Sequence, residues 1–355
     1  MSADQDWFRA PAAKIDLDAR EAAIRRQGEL TKPPGSLGRL EDIAIQLAAL
    51  QGREQPLLER VQIVVFAGDH GVAAAGVSAF QQAVTAQMIS NMAAGGAAIS
   101  VLARQIGAGI ELVNLGTVEP VCEHPLIRQA VIGPGTGNLA EGPAMSAAQL
   151  RQALDEGAAA LERARASGAE LFIAGEMGIG NTTAATALAS ALLGLAPAAL
   201  VGPGTGLDRG GIARKQALIE QALALHRDQL AEPILALAHL GGFEIAAMAG
   251  AYIRCAQQRV PMLIDGFISS AAALAATRIC PGASEWMLLA HASAEPGHRV
   301  IVDAMGLRPL LDLGMRLGEG SGAAVAVPLL RLACDLHARM ATFAEAGVAE
   351  KAGPA

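Results

Sequence analysis

The sequence predicts an α/β fold in which an open parallel sheet is flanked by helices, with a small helical domain formed by the N- and C-terminal segments. Three observations carry this reading. Short aliphatic, β-branched runs alternate with longer Ala/Leu-rich stretches, the pattern of βα units around a parallel sheet. Several runs end directly in a polar or glycine turn, the place where open α/β sheets bind ligands. The flanks keep helical periodicity but carry more charge than the centre. In chain order, the candidate strands are residues 61–66, 110–115, 170–174, 260–264 and 287–290. Three of them lead into Ala67-Gly68-Asp69-His70, Gly175-Glu176 and Asp265-Gly266. Small-residued helices are expected between strands, as at 243–256 and 269–278. Residues 61–309 are read as a large Rossmann-like domain, and 1–60 with 310–355 as the small helical one.

A chain of 355 residues can bury a large core without disulfides. It is 52% hydrophobic and 17% charged, the latter below the roughly 25% of average domains, so disorder and coiled coil are excluded. A net charge of −7 and a 3% aromatic content give neither the positive field nor the stacking platforms that nucleic-acid binding uses. Cys122, Cys255, Cys280 and Cys334 are far apart and form no metal-ligand spacing, which fits a reduced, cytoplasmic protein. Residues 1–20 mix acidic and basic side chains and lack the apolar core of a signal peptide. The uncharged stretch 182–207 contains Pro197 and Pro203 and reads as a buried helix rather than a membrane span.

The densest chemical signal is Gly175-Glu176-Met177-Gly178-Ile179-Gly180-Asn181-Thr182-Thr183, between a strand and an Ala-rich helix. Glycines free backbone N–H groups to face a ligand, and the helix start adds unpaired donors and partial positive charge, which suits a phosphate. Asn181 stands where a Walker A loop has Lys, so a monophosphate matches better than a triphosphate. Two similar loops occur, Gly133-Pro134-Gly135-Thr136-Gly137 and Gly202-Pro203-Gly204-Thr205-Gly206. Lys215, one of four lysines, follows the second and is a candidate counter-charge. Glu319, in Gly318-Glu319-Gly320-Ser321-Gly322, is either a general base raised by burial or a helix-terminal charge. Asp69-His70 and Ser293-Ala294-Glu295-Pro296-Gly297-His298 place carboxylates and imidazoles at strand ends, without a full metal-ligand set. The segment from Ser78 to Met88, with Phe80 and Gln87, suits either a flat heteroaromatic ligand or plain helix packing. From the 175–183 loop alone, a nucleoside kinase, a phosphatase or a non-catalytic sensor of a phosphorylated ligand are also open readings.

Taken in order, these segments resemble the nicotinate-nucleotide–dimethylbenzimidazole phosphoribosyltransferase family. Further matching stretches are Thr31-Lys32-Pro33-Pro34-Gly35-Ser36-Leu37-Gly38-Arg39-Leu40-Glu41, Gly68-Asp69-His70-Gly71-Val72, Gly95-Gly96-Ala97-Ala98-Ile99 and Gly241-Gly242-Phe243-Glu244. In one departure, Gln81 stands after Phe80 where the family pattern usually has Pro. The resemblance implies transfer of the 5-phosphoribosyl group from nicotinate mononucleotide to 5,6-dimethylbenzimidazole in cobalamin synthesis, with inversion at C1′. It implies Glu319 as general base, and Gly178, Gly180, Asn181, Lys215 and Ser293 around the phosphate. It places Glu176, Asp265 and Gly204 near the ribose and nicotinate, and Ser78, Phe80, Gln87, Met177 and Leu317 around the acceptor base. It implies a homodimer and neither a metal nor another cofactor.

Overall fold

The computed structural model of the chain describes residues 6–349. Among them, β1 (Val61–Gly68), β2 (Gly109–Gly116), β3 (Ile127–Gln129), β4 (Leu171–Met177), β5 (Met262–Ile264), β6 (Met287–His291) and β7 (Pro309–Leu311) form one sheet. Every pairing is parallel and the order is β3-β2-β1-β4-β5-β6-β7. The chain winds outward from β1 to β3, then returns to place β4 on the other side of β1. The order therefore reverses between β1 and β4, and crevices at such a point bind ligands in open α/β sheets. β1 and β4 are buried almost throughout, because helices cover both faces of a parallel sheet.

The five strands expected from sequence are present, most with ends moved by one to three residues. β3 and β7 were not expected. Each has three residues, at a sheet edge, and one carries Arg128 and Gln129 while the other begins with Pro309. Proline is tolerated at the first residue of an edge strand, and three residues are too short a run to read as a strand. The stretch 182–207 holds the buried helix Asn181–Leu193, which stops at Gly194 (φ 65°). Ala83–Ile106, by length and composition apolar enough to cross a membrane, folds as two helices, Ala83–Ala93 and Ala98–Ile106, parted at Gly95-Gly96.

Helices Ala147–Ala166 and Phe243–Gln257 pack back to back through glycine. A Cβ on Gly157 would lie 2.8 Å from the Ala251 nitrogen, and one on Gly250 would lie 2.8 Å from Leu154 Cα. Both obstacles are backbone, so neither can swing aside. Gly157→Ala is therefore expected to destabilise the protein by roughly 1–3 kcal/mol through overpacking. A thermal melt checks this, and an unchanged Tm would refute the close approach.

The termini meet each other. Leu30 bridges Thr342 in antiparallel fashion, and Arg26 donates to the carbonyls of His337 (2.8 Å) and Ala338 (2.9 Å). Within the 31–41 motif, Lys32 and Glu41 form a nearly buried ion pair at 2.9 Å, and Glu41 also accepts from Leu37 N–H. Helix Ser321–Arg339 joins this terminal layer to the sheet, because Gly320 at its start lies against Ile173 and Gly175 of β4.

Candidate active site

A cavity of about 440 Å³ opens at the carboxyl ends of β4, β5 and β6. Its walls come from the 176–182 loop, the turn after β5, the segment after β6 and residues 316–319. This size lies within the range of small-ligand sites.

Glu319 stands at one wall in a strained backbone. Its φ of 63° is left-handed, between Gly318 at 93° and Gly320 at 85°. Such a conformation costs a non-glycine residue about 1–2 kcal/mol and persists where the surroundings hold it. Here the surroundings do so tightly. A Cβ on Gly175 would lie only 2.8 Å from the Gly320 nitrogen, with the Glu319 carbonyl nearer still, so glycine on β4 is what lets the turn sit against the sheet. Asp265, after β5, accepts from Ala323 N–H at 2.7 Å and caps the helix that follows the turn. The Glu319 carboxylate accepts from Ile99 N–H at 3.2 Å, in the first turn of Ala98–Ile106. Burial raises its pKa above the ordinary carboxylate value, against the Ile99 bond; the Asp265 charge adds to the rise. The side chain is thus a carboxylate of enhanced basicity facing a cavity.

Glu176, at the end of β4, is buried as well. Burial pushes its pKa well up, and the charges of Glu244, Asp265 and Glu319 push the same way. Its carboxyl accepts a hydrogen bond from Asn181 Nδ2. Burial likewise raises Asp265, opposed by His291, whose Nε2 lies 3.7 Å away.

The glycine-rich turn lines the same cavity. Gly180 (φ 101°) is the N-cap of helix Asn181–Leu193, so the helix start points at the cavity rim. Lys215 is fully buried behind this wall, donating to Thr182 Oγ1 at 2.8 Å. Burial lowers its pKa to about 8, partly offset by Glu295. Gly204 and Thr205 complete this side, and Arg316 Nη1 donates to the Gly204 carbonyl at 3.1 Å. Partial positive charge at a helix N-terminus beside a lysine and an arginine suits an anion. His298 accepts from Ser293 N–H at 3.0 Å through Nδ1 and lies 3.1 Å from Ser270 Oγ through Nε2. Both ring nitrogens are used within the protein, and burial, then His291, lowers its pKa to about 4, so it stays neutral and fixes the Ser293 loop.

Of the residues singled out from sequence, Phe80, Glu176, Met177, Gly178, Asn181, Gly204, Asp265, Ser293, Leu317 and Glu319 line the cavity. Gly180 and Lys215 stand just behind them. Ser78 is one contact removed, its Oγ 3.2 Å from Thr205 Oγ1. Gln87 is exposed and outside the lining, where Val84 and Met88 of the same helix are found instead. Of the two Gly-Pro-Gly-Thr-Gly loops only the second reaches the cavity; the first packs on Asp69 and His70. Sequence reasoning missed Arg316 and the Ile99 N–H, and gave Thr182, within the 175–183 motif, and Glu295 no individual part on this side. The motif at 95–99 was the one available signal for Ile99.

A family model described as phosphoribosyltransferase matches residues 12–348. The nicotinate-nucleotide–dimethylbenzimidazole phosphoribosyltransferase of Ectopseudomonas mendocina is 59% identical over 345 residues, covering 97% of this chain and 98% of that one. The enzyme of the same name from Azotobacter vinelandii is 60% identical over 346 residues, with 97% and 98% covered. A crystal structure of the Thermus thermophilus enzyme superposes with a TM-score of 0.90 at 46% identity, covering 95% of this chain and all of that one. The structure described as CobT from the same organism gives 0.91 at 47% identity, with 94% of this chain covered. With this site on a sheet of that topology, the chain is an enzyme and belongs to the nicotinate-nucleotide–dimethylbenzimidazole phosphoribosyltransferase family.

Proposed function

We propose that this enzyme transfers the 5-phosphoribosyl group of nicotinate mononucleotide to 5,6-dimethylbenzimidazole, giving α-ribazole 5′-phosphate and nicotinate for cobalamin assembly. The observation that carries the reading is Glu319, held in left-handed backbone in the wall of the same cavity that the glycine-rich helix start lines. One benzimidazole nitrogen attacks C1′ while Glu319 takes the proton from the other. The bond from C1′ to the pyridinium nitrogen breaks with its electron pair passing to nicotinate, which neutralises the ring's positive charge. Attack from the face opposite the leaving group inverts C1′. Because that ring leaves readily, the protein's main tasks are alignment and proton acceptance.

In this reading the nucleotide phosphate sits at Gly178, Gly180, Asn181 and Ser293 with Lys215 as counter-charge, and the ribose lies toward Glu176, Asp265 and Gly204. The apolar side chains Phe80, Met177 and Leu317 hold the flat acceptor. The working unit is a cytoplasmic homodimer, with residues 61–309 as the transfer domain and the two flanks as a small domain. Purified enzyme given both substrates should release nicotinate; no release with dimethylbenzimidazole or adenine as acceptor would remove the proposal.

Lys215 adds a pH prediction. Its lowered pKa means the ammonium loses its proton as pH rises through about 8, and an uncharged amine pairs poorly with phosphate. The KM for nicotinate mononucleotide should therefore climb above about pH 8, with kcat changing less. Lys215→Ala should raise that KM below about pH 8, where the parent's ammonium is charged, and flatten the dependence. A defect in kcat alone would contradict the assignment.

A further inference from the structure

Asp69 and Thr85 are both fully buried, lie outside the cavity lining and take no part in the chemistry above. Their bonds nevertheless join its two sides. Thr85 Oγ1 donates to Asp69 Oδ1 at 2.6 Å and accepts from Ile179 N–H at 3.2 Å. Ile179 lies between Gly178 and Gly180, in the turn proposed to hold the phosphate. Thr85 lies on helix Ala83–Ala93, whose Val84 and Met88 face the cavity beside Phe80. One hydroxyl therefore ties the acceptor-side helix to the phosphate turn.

The anchor of this tie is fixed from every direction. Asp69 Oδ2 accepts from Val118 N–H at 2.9 Å, its backbone N–H donates to Gly116, and its carbonyl accepts from Thr136 N–H, both at 2.9 Å. Its neighbour works on the same two segments. The His70 carbonyl accepts from Gln82 Nε2 at 3.0 Å at the start of the helix, while the His70 ring packs 3.4 Å from where a Gly178 Cβ would stand. His70 itself is held by Glu244 at 2.6 Å. Since the hydroxyl has a single proton, given to Asp69, it is a lone pair on its oxygen that receives the Ile179 N–H. A residue without the hydroxyl leaves a buried carboxylate oxygen and a buried N–H unpaired together.

We propose that Thr85, oriented by Asp69, is a positioning residue that sets the acceptor-binding helix in register with the phosphate turn, so that acceptor and donor meet at C1′. This rests on the phosphoribosyl-transfer reading. Registration of two substrates affects the rate when both are bound, and misplacement by about an ångström can cost on the order of 10²-fold. Thr85→Val should lower kcat about tenfold or more, whereas Thr85→Ser, which keeps the hydroxyl, should stay within about threefold of the parent. The same link should make the parent enzyme's apparent KM for nicotinate mononucleotide differ by about threefold or more between low and saturating dimethylbenzimidazole, with the dependence absent from Thr85→Val. A folded Thr85→Val enzyme with kcat within about threefold of the parent would overturn the proposal, as would Thr85→Ser failing as badly as Thr85→Val. Should the valine variant not fold, the parent's own pattern decides, because a KM indifferent to the second substrate refutes the link. Failure of the reaction assignment itself would appear differently, as absence of nicotinate release by the unaltered enzyme.

Discussion

Glu319→Gln should lower kcat by about 10²–10⁴-fold while leaving the KM for nicotinate mononucleotide within a few fold, the usual cost of removing a positioned base. The amide has nearly the same shape and can still accept from Ile99 N–H, so the turn keeps its place. What it cannot do is take a proton from the benzimidazole. The pH dependence should change with it. Burial raises the Glu319 pKa, so in the parent enzyme the base is protonated and idle at low pH and becomes active as pH rises through that raised value. The acid limb of kcat/KM should therefore lie above the range of an ordinary glutamate and vanish in the glutamine variant. Near-normal turnover by Glu319→Gln would show that another group accepts the proton.

Gly175→Ala should be nearly as damaging, by moving the base without altering it. The added Cβ meets the Glu319 carbonyl and stands 2.8 Å from the Gly320 nitrogen. β4 cannot yield, because Gly175 pairs with Val65 in the centre of the sheet. The strained turn must therefore shift, and the helix capped by Asp265 with it. A stability loss of roughly 1–3 kcal/mol is expected from the overpacking. Displacement of the carboxylate by about an ångström should lower kcat on the order of 10²-fold. The 178–181 turn, where we propose the phosphate binds, is not in the path of the added Cβ, so the nucleotide KM should change little. Steady-state kinetics with a thermal melt checks both, and a variant with parental kcat and Tm would show that the turn has room to spare.

The centre of the fold was legible because β1, β4, β5 and β6 are apolar runs that end in recognisable turns. The edges were not, since β3 and β7 are three-residue strands that need little apolar character. Within the site, chemistry was easier to read than geometry. Glu319 among glycines, the 178–181 turn and Lys215 are visible in a one-dimensional pattern. That Glu319 takes a bond from Ile99, 220 positions away, depends on how two helices converge on one strand end, and no local pattern encodes that. Gln87 illustrates the converse. It follows Phe80 in a segment of suitable composition, yet the turn of the helix directs Val84 and Met88, four residues apart, toward the cavity instead. Gly175 was read as part of a phosphate loop, whereas its space is filled by the backbone of the Glu319 turn. Asp69 and His70 showed their chemistry but not their partners, which come from segments as far apart as Thr85, Val118 and Glu244.

The most direct measurement is a crystal structure with nicotinate mononucleotide bound. The phosphate should meet the backbone at Gly178, Gly180 and Asn181 with Lys215 close behind, and C1′ should face the Glu319 carboxylate across space the width of a flat heterocycle. A phosphate lodged elsewhere, or an anomeric carbon turned away from Glu319, would contradict the account.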